Sequence, residues 1–143
     1  MWQAKFRYSR ERTLILPIPP ERYMRQEDFV HEHLSGISIL DWRAEFLRAV
    51  KPEQRYLNLS VHDEVQRLKL MSAAHKGHTL CLINTEYVLT RFSYEERQEF
   101  WRLLWGDFPH NEAILIYSAL AVPMLLPFDL EQWKKTGRVL PPV

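Results

Sequence analysis

The chain has one cysteine, Cys81, in the middle of an apolar run, so no internal disulfide can close. A buried lone thiol of this kind behaves as a small hydrophobe and suits a reducing compartment. Glycine is also scarce. Gly36, Gly77, Gly106 and Gly137 stand alone, which excludes a glycine-rich loop that cradles phosphates with backbone N–H groups. Neither charge sign is in excess: 19 Lys and Arg face 18 Asp and Glu, a net charge of +1. No global field therefore draws the chain to nucleic acid or membrane. Long hydrophobic runs are missing too. The longest, Ala119 to Phe128, is interrupted by Pro123 and Pro127 and is too short to span a bilayer. The N-terminus alternates polar and apolar residues and carries Lys5, Arg7, Arg10 and Arg12, unlike a secretory leader. These absences lead to the expectation of a cytoplasmic protein without a membrane segment.

Core-forming material is plentiful. Of 143 residues, 46% are hydrophobic and 13% aromatic, enough for one domain that buries about two-thirds of its unfolded surface. The clearest segment runs from Gly77 to Leu120. Thr79–Ile83 and Ala113–Tyr117 are apolar on successive residues, the pattern of strands covered on both faces in a parallel sheet. Between them, Ser93-Tyr94-Glu95-Glu96 forms a capping box that opens a helix reaching Trp105. The second half of that helix is apolar on more than one face, which predicts packing on two sides or a partner.

The rest of the chain extends the alternation. Trp2, Ala4, Phe6 and Tyr8 fall on one side of a period-2 strand with Lys5 and Arg7 on the other. Thr13–Ile18 is a second short apolar run, stopped by Pro17, Pro19 and Pro20, and prolines confine it to an edge strand or arm. Glu21–Ser35 reads as an irregular helix and Ile37–Leu40 as a short strand. Asp41 caps a helix with Trp42, Phe46 and Val50 in a stripe. Arg55–Leu59 is a further strand candidate. Ser60 and Asp63 open a helix with Val61, Val65, Leu68 and Met71 on one face and Glu64, Arg67 and Lys69 mostly elsewhere. A short helix is expected near Asp129–Lys135.

Alternation of strands and helices predicts an α/β fold: three layers, a mainly parallel sheet of four to five strands, helices on both faces and an N-terminal edge hairpin. One domain spans residues 1–143, with residues 1–20 as the hairpin or arm and 121–143 as a proline-punctuated tail.

In such a sheet, ligands collect outside the carboxyl ends of the strands. His62, Asp63, Glu86 and Ser118 are the residues there with acid–base or nucleophilic potential, and they define a hydrolase-type alternative. The competing explanation is local structure, since Ser60 and Asp63 already serve as caps. His31-x-His33 and His75-x-x-His78 have spacings that can share a metal, but neither comes with cysteine or a compact ligand set, so no metal or cofactor is expected. Lys5, Arg7, Arg10 and Arg12, interleaved with aromatics, define a nucleic-acid alternative. Trp101, Trp105, Trp133 and Phe128 define a partner-binding surface, and a protein partner or homo-oligomer is the expected association.

The segment Leu80-Cys81-Leu82-Ile83-Asn84-Thr85-Glu86, followed by a helix and then Ile114-Leu115-Ile116-Tyr117-Ser118, resembles the Walker B and sensor-strand region of P-loop ATPases over about forty residues. Asn84 or Thr85 stands where that family holds its metal with an aspartate, and only Glu86 keeps an acid. No G-x-x-x-x-G-K-[ST] loop is present. The resemblance implies a degenerate, non-hydrolysing relative. The surplus apolar surface from Tyr94 to Trp105, the five tryptophans, the proline-bounded tail and the lack of a complete catalytic set give the expected function: a non-catalytic binding or scaffold subunit of a larger assembly.

Overall fold

Four strands form one all-parallel sheet in a computed structural model that describes residues 13–49, 60–106 and 112–140. They are β1 (Thr13–Ile18), β2 (Ser38–Asp41), β3 (Thr79–Ile83) and β4 (Ile114–Leu120), in the spatial order β1-β4-β3-β2. The two apolar runs near residues 80 and 115 lie side by side in parallel, with Cys81 opposite Ile116 and Leu82 opposite Tyr117. Helices cover both faces, as their unbroken hydrophobicity requires.

Side-chain alternation sorts the core into two halves. Ile15, Leu80, Leu82, Leu115 and Tyr117 point to one face; Leu14, Leu16, Cys81, Ile83 and Ile116 point to the other. The first face is the larger. It packs against α2 (Trp42–Ala49), α3 (Val61–Ala74), the short α4 (Glu86–Leu89), α5 (Tyr94–Gly106) and α6 (Leu130–Lys135). The second face is covered by α1 (Gln26–His33) through Phe29 and Val30, and by Leu34 and Leu140. The chain thus crosses from β1 to the far edge over one face and winds back through β3 and β4 over the other. Opposite directions on opposite faces keep the crossovers to one hand.

Local signals account for the element ends. Asp41 accepts a hydrogen bond from the Ala44 N–H (3.1 Å) and caps α2. Ser60 accepts from the Asp63 N–H (3.0 Å) and caps α3. The Ser93–Glu96 box closes in both directions, at 3.2 Å and 2.8 Å. Gly77 takes φ +86° in the turn before β3, a conformation that L side chains rarely adopt.

Thr13–Ile18 sits at a sheet edge and pairs in parallel with β4. The first arm of the expected hairpin, residues 2–8, lies outside the described residues, as do Lys5, Arg7, Arg10 and Arg12 and the strand candidate Arg55–Leu59. On its outer side β1 meets the tail. The Ile15 N–H donates to the Arg138 carbonyl, the Leu140 N–H donates to the Ile15 carbonyl, and Val139 bridges Ile15 in parallel. The tail therefore covers an otherwise open edge. Among the described residues, no helix is long and apolar enough to cross a membrane.

Candidate functional site

The carboxyl ends of β2 and β3 open into a cleft of about 470 Å³, lined by Tyr23, Met24, Asp41, Arg43, Asn84, Glu86, Tyr87 and Thr90. A 3₁₀ turn, Pro20–Arg25, carries Tyr23 and Met24 over its mouth. Directly after that turn comes Gln26, which is buried although glutamine is usually exposed. The Gln26 carbonyl oxygen accepts from the Asn84 N–H at 2.9 Å, and its amide donates toward both Glu86 carboxylate oxygens at 3.3 Å. This one side chain ties the connection after β1 to the end of β3. Asn84 takes φ +57° there, in the left-handed region that asparagine tolerates better than most residues.

Aromatic and cationic groups form the outer wall. The Arg43 and Arg91 guanidinium carbons lie 5.1 Å and 4.5 Å from the Tyr87 ring centroid, within cation–π range. Arg91 also donates to the Tyr87 hydroxyl at 2.7 Å. Further along, Arg67 lies over Trp42 (4.5 Å) and Phe46 (4.9 Å).

Of His62, Asp63, Glu86 and Ser118, only Glu86 lines this cleft. His62 and Asp63 are exposed on the first turn of α3. Ser118 is fully buried, and its hydroxyl donates to the Leu82 carbonyl at 2.5 Å. The Thr85 hydroxyl, also buried, donates to the Ser118 carbonyl. These two hydroxyls continue the pairing of β3 and β4 beyond the ladder. The structure thus does not assemble the four residues into one site.

The tryptophans expected at a partner surface lie mostly inside. Trp101 and Trp133 are buried and Trp105 is half-buried. Their rings pack edge to face, Trp101 on Trp133 and Trp105 on Trp133. The tail folds back on α5 and covers the surplus apolar face that the sequence displays. Buried Arg138 completes this cover. Its guanidinium lies 4.5 Å from the centroids of both Trp105 and Trp133 and donates to the carbonyls of Thr13, Leu104 and Trp105. Phe128, by contrast, is 78% exposed.

One polar cluster escaped the sequence reading. Its charge predicts that Glu64 lies off the apolar stripe of α3, yet it is fully buried. Its carboxylate accepts from the Trp42 indole N–H (2.5 Å), from Arg67 (2.6 Å) and from the Tyr117 hydroxyl (3.4 Å). Burial pushes its pKa up to about 7, against the opposing pull of Arg67 and the hydrogen bonds. Tyr117 is pushed well above its ordinary range by burial and by the Glu64 charge, so it stays a donor. The signal for Glu64 was its spacing: three residues after Val61 and four before Leu68, it lies on the same helical face as both.

Among the described residues, no group of three or more His, Cys, Asp or Glu side chains gathers as a metal-ligand set. No protein-family model matches the chain, and neither the curated proteins nor the solved structures yield a match.

Proposed function

We propose that this chain is a non-catalytic binding or scaffold subunit of a cytoplasmic assembly, and a degenerate, non-hydrolysing relative of P-loop NTPase domains. The observation that carries the reading is the engagement of the polar side chains at the carboxyl edge by the fold itself. Ser118 and Thr85 are bonded to main-chain carbonyls, Asp41 caps a helix, and Gln26 spans Asn84 and Glu86. A nucleophile needs a base within hydrogen-bond reach, and the two buried hydroxyls donate to carbonyls instead.

The likeness draws support from β3 and β4, the counterparts of the Walker B and sensor strands, which are neighbours in parallel register. A phosphate loop joins a strand to a helix. Between β1 and α1 this chain has Pro19, Pro20 and a 3₁₀ turn, with no glycine before Gly36. The buried Gln26 side chain, at the start of α1, occupies the space between that turn and Asn84. The compartment rests on Cys81, buried within β3 with no disulfide.

The test is nucleotide binding and turnover by the purified chain. Equilibrium dialysis with ATP and magnesium should show no retention, and phosphate release should equal the blank. Release above the blank that disappears in Glu86→Gln would overturn the reading.

A further inference from the structure

We infer that the groove between α5 and the segment leading into α6 is the docking site for a basic, amphipathic segment of a partner protein. This rests on the binding role proposed above and gives it a place.

The groove is of about 630 Å³, with Tyr94 and Phe128 on its walls. Both rings are exposed, Phe128 at 78% and Tyr94 at 48%. Solvent-facing aromatics that stand together mark interaction surfaces. Their support is rigid. α5 holds the segment before α6 carbonyl by carbonyl: Arg97 donates to Met124 (2.9 Å), the Trp101 indole to Leu125 (3.1 Å) and the Gln98 amide to Leu126 (3.4 Å). The Gln98 carbonyl oxygen then accepts from the Phe128 N–H at 2.9 Å. Leu125 is thereby turned into the core while Phe128 is held outward. An anchor fixed before binding loses little freedom on association.

Charge selects the occupant. The rim carries the carboxylates of Glu95, Glu99 and Asp129 against the single guanidinium of Arg102, and Arg102 is bonded to Glu99 through two contacts, at 2.6 and 2.9 Å. A neutral apolar wall under an acidic rim complements a segment with Lys or Arg flanking aromatic or aliphatic anchors, the helix-in-groove arrangement.

The experiment is a selection of displayed random peptides on the purified full chain. Recovered peptides are then synthesised and titrated by fluorescence anisotropy against the wild type, Phe128→Asp, Glu95→Lys and Arg43→Glu. Recovered sequences should be basic and amphipathic. Phe128→Asp should weaken them by about tenfold or more, as expected for one aromatic anchor. Glu95→Lys and added salt should weaken them further, and Arg43→Glu, on the other cleft, should leave them unchanged. Because Phe128 is exposed, its variant should melt with the wild type. Failure to recover peptides, recovery of acidic ones, or an unchanged affinity in Phe128→Asp overturns the assignment. Peptides lost only in Arg43→Glu would leave the binding role standing and place it in the carboxyl-edge cleft. A wild-type dimer that Phe128→Asp converts to monomer would give the groove to a second copy and refute the partner assignment.

Discussion

Glu64 offers the sharpest test of the physical reasoning. In the unfolded chain its carboxyl titrates near the ordinary 4.5, whereas in the core it titrates near 7. The folded state therefore holds the proton more tightly. The resulting stabilisation is fully present below the unfolded value and is lost as pH rises through the folded value. At 1.36 kcal/mol per pKa unit, the whole effect is about 3 kcal/mol, of which about 2.5 kcal/mol falls between pH 5 and pH 8. Glu64→Gln removes the titration but keeps the shape. The Gln side chain presents its amide N–H donors to Trp42, Arg67 or Tyr117, each of which is itself a donor, so the variant starts with a penalty. That penalty does not change with pH, because the Gln amide does not titrate. Urea unfolding of both proteins at half-unit steps from pH 5 to pH 8 separates the two effects. The wild type minus variant difference should fall by about 2–3 kcal/mol over the range, a midpoint shift of about 1 M urea for a typical slope. A constant difference would show that Glu64 keeps one protonation state throughout, and the account of its burial would be wrong.

Other consequences follow from single residues. Arg138→Ala removes the donor to three carbonyls and the cation between two indoles; it should cost about 3 kcal/mol or more, seen as a fall in Tm of about 10 °C, and Arg138→Lys should recover only part of it because an ammonium cannot reproduce the planar fork. Ser93→Ala should lower stability by about 1 kcal/mol in denaturant titration, since the Glu96 N–H loses its cap. Asn84→Gly should be close to neutral while Asn84→Ala should cost about 1 kcal/mol, because φ +57° excludes most side chains. Cys81, fully buried with its thiol pushed up to about 12, should resist a thiol reagent in the native state and react at once in urea; rapid reaction of the native protein would refute its placement.

Among the described residues, the sequence by itself determined the four strands, most helices and their caps. The runs at Leu80–Ile83 and Ala113–Tyr117 are apolar on successive residues, the pattern of a doubly covered strand, and Asp41, Ser60 and Ser93 sit where helix starts need an acceptor. These are near-neighbour requirements, and near neighbours are adjacent in the text of the chain. Only the tertiary structure decided what faces what. It brought Gln26 to Asn84 across 58 residues and Arg138 to Thr13 across 125. It buried Glu64, turned Trp101 and Trp133 inward and left Phe128 outside. Each of those outcomes depends on which distant segment packs on a given face. A carboxylate or an indole reads the same in sequence whether water or another helix covers it.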